Sequence, residues 1–253
     1  MKRFTLIFLS IFMIGALMAQ QGTGPSITYG NMGSTGTVLY AQMNPYGGVV
    51  ASQKFTDLGD KTAQVADDFT VGTSKIWSLS TINVLGNYFN GPGIAENFTV
   101  QIFADNNGVP ASTPLYEQTG LGYTEISGNF TISLTSSIVL NSGHYWLSVF
   151  AEMDYYQASP GANYGQWGWA WEGLPQDGNV MSNRDPDQAL GGSWPATWEP
   201  GTNTWPNAAV LDLCFQLNGS ETTAAVPVSN WAIILGVLLI GIFMAVRYRR
   251  SLA

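Results

Sequence analysis

Residues 129–134 read NFTISL, and residues 210–217 read VLDLCFQL. In the first, Phe130, Ile132 and Leu134 fall on one side of an extended chain, with Thr131 and Ser133 on the other. In the second, Leu211, Leu213, Phe215 and Leu217 share a side; Asp212 and Gln216 point the opposite way, with Cys214 between them. A period of two belongs to a strand, and one apolar side means a sheet with one dry face. Carried outward, the same reading predicts strands at about 37–42, 48–55, 65–71, 76–89, 98–104, 113–118, 122–135 (as one strand or two), 144–152, 165–172 and 209–217. No helical period interrupts them. Asn90-Gly91-Pro92-Gly93, Asp105-Asn106-Asn107-Gly108 and Asn141-Ser142-Gly143 offer residues that tolerate positive φ or stop a strand, so they are read as turns. The expected fold is all-β, an antiparallel jelly-roll-like β-sandwich over residues 37–219.

The two ends have other compositions. Residues 1–19, MKRFTLIFLSIFMIGALMA, give a basic start, an apolar middle and a small residue before a polar run, which predicts a signal peptide cleaved after Ala19. Residues 20–36 read as a flexible lead-in, 220–225 as a linker and 226–253 as a tail. From Trp231 to Val246 the tail carries no charge. Counted from Ala224, the weakly polar and apolar run approaches the ~20 residues with which a helix crosses a bilayer. Arg247, Arg249 and Arg250 would hold the C-terminus in the cytoplasm, with Trp231 and Tyr248 near the two interfaces. This predicts one C-terminal transmembrane helix and an exported remainder.

The tail also resembles the C-terminal sorting signals of Gram-negative bacteria, the PEP-CTERM group and its IPTL-like variants. The matching residues are Pro227, Ser229 and Trp231, then Arg247, Arg249 and Arg250; Val226 stands where the variant has isoleucine. The resemblance implies processing by an exosortase-like membrane protease and release to the cell surface. A permanent single-pass anchor in the envelope is the alternative.

Charge narrows the choice of partner. Between the two ends lie 17 acidic residues and only four basic ones (Lys54, Lys61, Lys75 and Arg184), a formal charge of −13. Such a surface repels nucleic acid and attracts divalent cations. The single cysteine, Cys214, sits in an apolar strand and reads as a buried core thiol. The single histidine, His144, has no nucleophile motif beside it and reads as structural or surface. One His and one Cys do not make a zinc site. Calcium needs several oxygen ligands, and Asp67, Asp68 and Asp212 are the candidates if early and late strands are neighbours. Glu152, Asp154, Glu172 and Glu199 leave a glycoside hydrolase as a remote reading.

Aromatic residues give the clearest ligand signal. In QWGWAWE, Trp167, Trp169 and Trp171 recur every second residue and read as core. The long polar stretch 173–208 adds Trp194, Trp198 and Trp205; with Tyr164 they are candidates for stacking on a sugar.

Taken in order, ADDFTV (66–71), VLGNYFNGPG (84–93), FADNNGVP (103–110), GHYWLSV (143–149), GQWGW (165–169) and DLCFQLNG (212–219) resemble a family of uncharacterised secreted bacterial domains. Such domains often precede a surface-sorting signal, and the resemblance implies a β-sandwich with no established activity. The expected function is therefore non-enzymatic: an exported domain, sorted or tethered, for adhesion or extracellular-matrix association. The alternative is a carbohydrate-binding module, with surface polysaccharide as partner and calcium as an accessory ion.

Overall fold

The structure is a computed structural model that describes residues 36–156, 164–174, 178–208, 212–224 and 230–251. The expected signal peptide, nearly all of the lead-in, and the sorting-motif residues Val226, Pro227 and Ser229 lie outside the described residues. The chain divides into two compact units, residues 1–222 and 223–253.

The first unit is β-structure. Its strands are β1 (Thr37–Gln42), β2 (Pro45–Ala51), β3 (Gln53–Phe55), β4 (Lys61–Phe89), β5 (Asn97–Ala104), β6 (Tyr116–Leu121) and β7 (Tyr123–Ile126). Then come β8 (Asn129–Met153), β9 (Gln166–Glu172), β10 (Ser182–Arg184), β11 (Glu199–Pro200), β12 (Asp212–Leu213) and β13 (Phe215–Thr223). A single helical turn, α1 (Gly201–Thr204), follows β11. The strands join into one hydrogen-bonded network along β1-β13-β4-β3-β8-β5-β6. β4 carries the chain from this sheet into a second one, where its last residues, Gly86 to Phe89, pair with β9 beside β2 and β12.

The β expectation therefore holds, with three corrections. First, the sheet is mixed, because β3 runs parallel to β8 at Gln53↔Ala151 and Phe55↔Met153. Second, Asn141-Ser142-Gly143 is no turn. β8 runs straight through it, and Val71↔Gly143 is followed by Ile76↔Asn141. The extra residues are taken up on β4, where Gly72 and the positive-φ Ser74 form a bulge, so β8 has no need to bend. Third, the stretch 173–208 is not one structureless loop. It adds β10 to the edge of β4 at Ser182↔Ala66 and holds β11 against it.

The core faces are those of the sequence pattern. Phe130, Ile132, Phe98, Val100, Ile102, Leu213, Phe215 and Leu217 are buried in one cluster, with Leu134 partly buried against it. Trp167, Trp169 and Trp171 join that cluster. Asp212 and Gln216, expected in solvent, are buried at 3% and 5% exposure because their strands have neighbours on both faces. Cys214 is free and buried.

The second unit holds α2 (Asn230–Ser251), 22 residues long. Among the described residues, no helix is long and apolar enough to cross a membrane. The transmembrane expectation included the approach from Ala224, but α2 starts at Asn230. Its uncharged part, residues 231–246, is only ~24 Å long at 1.5 Å per residue, against a ~30 Å hydrocarbon core. Trp231, Leu235, Leu238, Ile240, Phe243 and Met244 are all exposed.

Close packing of the second sheet depends on Gly86. A Cβ there would lie 2.6 Å from Cζ2 of Trp167 and 2.8 Å from the Gly168 carbonyl oxygen. Gly86→Ala is expected to overpack the β4–β9 contact and lower the unfolding free energy by about 1–3 kcal/mol in urea melts; an unchanged midpoint would contradict this packing.

Candidate functional site

Adjacent residues of a strand point to opposite faces, which decides the fate of the three aspartates. Asp67 turns inward. It is fully buried, and its Oδ2 accepts from Gln42 Nε2 at 2.7 Å and from the Leu213 amide at 2.5 Å. Its Oδ1 accepts from the Asp68 amide at 3.0 Å. Burial, then the neighbouring Asp212, pushes the Asp67 carboxyl well above the usual range. Asp68 lies on the opposite face, also buried at 2% exposure, where its Oδ2 meets His144 Nε2 and accepts from Asn179 Nδ2, each at 2.7 Å. Asp67 and Asp212 are thus neighbours, but Asp68 belongs to another site, and the three do not converge on one ion. Among the described residues no three or more His, Cys, Asp or Glu side chains are grouped so as to hold a metal.

His144 is a structural residue with two acidic neighbours. Nε2 faces Asp68, and Nδ1 lies 3.4 Å from Asp105 Oδ1. The same Asp105 oxygen accepts from Trp146 Nε1 at 2.9 Å and from the Gly108 amide at 3.1 Å. The cluster ties β4, β8 and the turn after β5 together.

The candidate sugar-stacking residues are used in packing. Trp198 is buried at 8% exposure, edge-on to Phe103, with the Arg184 guanidinium 4.3 Å over its ring. Burial pulls the Arg184 pKa down to about 10, so it stays charged at neutral pH. Trp194 and Trp205 meet edge-to-face at 5.3 Å, and Trp205 meets Trp171 in the same way. Tyr164 is partly buried against the core. Of the four, Trp198 is buried, and Trp194, Trp205 and Tyr164 are half-buried. Of the tail residues, Trp231 is exposed, and Arg247 and Arg250 lie near the end of α2.

The open part of the outer sheet face is elsewhere. Val100 and Ile102 face the core, so Thr99 and Gln101 between them face outward, as do Phe150 and Glu152 on β8. Lys54, Thr62, Gln64, Glu117 and Thr119 complete a groove of about 400 Å³. Cross-strand register brings these residues together through Lys54↔Glu152, Lys54↔Thr62 and Gln101↔Glu117. Gln101 Nε2 donates to Glu117 Oε2, and Thr99 Oγ1 to Glu152 Oε1, both at 2.5 Å. Lys54 Nζ lies 3.3 Å from Asp60 and 3.7 Å from Glu152. Gln64 is held from outside the groove, where Arg184 Nε donates to its Oε1 at 2.7 Å. The sequence reading missed this site, although one signal was there. Thr-x-Gln occurs at 62–64 and again at 99–101, neutral hydrogen-bonding pairs where surface strands more often carry charge.

No protein-family model matches the chain. No curated protein matches it either. Among solved structures, the chain is similar to the crystal structure of the cysteine protease and lectin-like domains of Cwp84, a surface layer associated protein of Clostridium difficile, at 15% identity with a TM-score of 0.40. That alignment covers 64% of this chain and about a third (32%) of the other.

Two predictions concern the buried groups. Asp67 has a raised folded pKa, so its contribution to stability is fully present below its ordinary value near 3.8 and is lost as pH rises through the folded value. Urea melts should show wild type gaining stability relative to Asp67→Asn as pH falls through that window; parallel pH profiles would contradict the buried charge. Trp198→Ala should lower stability by about 3 kcal/mol, as read by thermal melting; a change within error would mean that the ring is not packed.

Proposed function

We propose that this chain is an exported, non-enzymatic β-domain delivered to the cell surface, where it serves adhesion or association with an extracellular polysaccharide matrix. One observation carries the reading. The β-domain is followed, as a separate compact unit, by a helix whose large apolar side chains are exposed along its length and whose end is basic. Apolar surface in water costs about 25 cal/mol per Å², so such a helix needs a cover. A lipid bilayer, or the groove of a membrane-bound processing protease of the exosortase kind, supplies one. The basic, apolar and small-residue order of residues 1–19 supports export, and the acidic β-domain suits a role away from nucleic acid.

The helix is a delivery and membrane-association device in this reading, and the β-domain is the cargo. The test is the intact mass and location of the native protein recovered from cells and medium. The expected result is a protein lacking residues 1–19 and ending ahead of Trp231, at the outer surface or in the medium. A mass that retains the arginines in the envelope fraction would replace delivery by a stable tether. A cytosolic protein with its first 19 residues intact would overturn the proposal.

A further inference from the structure

We infer that the groove on the outer face of the β3, β4, β5, β6 and β8 sheet is a glycan-binding site for an uncharged, hydroxyl-rich oligosaccharide. The inference deepens the surface-adhesion reading, on which it rests, by naming what the adhering surface holds.

The argument starts from hydrogen-bond balance. Buried polar side chains in native proteins have partners, and those without one need an explanation. Gln101 is 6% exposed, and its Oε1 finds no donor in the protein. Its Nε2 is committed to Glu117. In the unfilled groove Oε1 is closed off from water, but the last torsion of a glutamine is soft. A small turn of it opens Oε1 toward the groove while Nε2 keeps its bond to Glu117, and a ligand hydroxyl then donates to Oε1. Gln101 Oε1 and the Glu117 carboxylate both accept, so a polyol can serve them with two of its hydroxyls.

The rest of the groove selects against charge. Glu117 and Glu152 line it, and its one ammonium, Lys54, is already held by Asp60 and Glu152. An anionic sugar would meet two carboxylates with no cation to spare, in a domain of formal charge −13. Phe150, 4% exposed, gives the lining one apolar patch against which the C–H face of a sugar ring can pack. The volume, about 400 Å³, falls within the ~300–1,000 Å³ of small-molecule sites. The aromatic residues under Arg184 take no part, which separates this site from the tryptophan platform expected from the sequence.

The test is isothermal titration of the full-length protein in mild detergent with cellotetraose, mannotetraose, chitotetraose and tetragalacturonate. The expected result is binding of at least one neutral oligosaccharide and none of tetragalacturonate. Gln101→Leu should weaken binding about tenfold or more, the equivalent of ~1.4 kcal/mol, with an unchanged or higher melting temperature, because the variant removes an unpartnered acceptor. Thr119→Trp, which fills the groove from its rim, should abolish binding and leave the melting temperature unchanged. No binding of any neutral oligosaccharide at millimolar concentration, binding of tetragalacturonate alone, or affinities indifferent to both variants would overturn the assignment. A surface-delivered protein that binds none of them sinks the groove and leaves the delivery reading standing; a protein that binds one yet stays in the cytosol does the reverse.

Discussion

The β4–β8 ladder is the constraint on which the rest of the structure depends. The two strands pair from Ala66↔Ser148 to Leu85↔Asn129, interrupted only by bulges. Everything else is placed by reference to it. β3 and β5 flank β8, β10 flanks β4, and the last residues of β4 cross into the second sheet to meet β9. Pairs this far apart in sequence carry a large loop-closure cost, recovered only when the apolar faces meet. Phe69, Leu79, Ile82 and Val84 on β4 and Phe130, Ile132, Leu147 and Val149 on β8 supply that burial.

The same ladder sorts the polar groups. Because each strand shows alternate residues to opposite faces, consecutive aspartates end in unlike settings. Asp67 is enclosed among amides between the sheets, and Asp68 joins the histidine cluster on the other face, buried under the segment that carries Asn179. The outer face is then divided. The segment carrying β10 and β11 covers one half, with Trp198 and Arg184 over Phe103. The other half stays open as the polar groove.

Much of this was legible in the sequence. Alternation at NFTISL and VLDLCFQL named the core faces, and the every-second-residue tryptophans of QWGWAWE were read as core. What failed, failed for physical reasons. Asn141-Ser142-Gly143 has turn composition, but local propensity yielded to a long partner strand. Trp194, Trp198 and Trp205 had no periodicity to show whether they face water or protein; Trp198 is buried, and Trp194 and Trp205 are half-buried edge-to-face against each other. Thr99 and Gln101 fall in the strand expected at 98–104, but their burial depends on Lys54, Glu117 and Glu152, which arrive from three other strands. A site assembled by register across five strands has no signature in any one of them.

The order of the last elements bears on mechanics. The chain leaves the β-domain through β13, which is hydrogen-bonded along β1 from Thr37↔Gly219 to Gln42↔Phe215 and lies beside β4. A load drawn through the tail therefore reaches the domain along the axis of a strand held on both sides. Its hydrogen bonds are stressed together in shear, rather than being opened one after another from an end. The domain would give way under such a load only when many such bonds fail at once, so its lifetime under load is governed by the barrier to unfolding rather than by equilibrium stability.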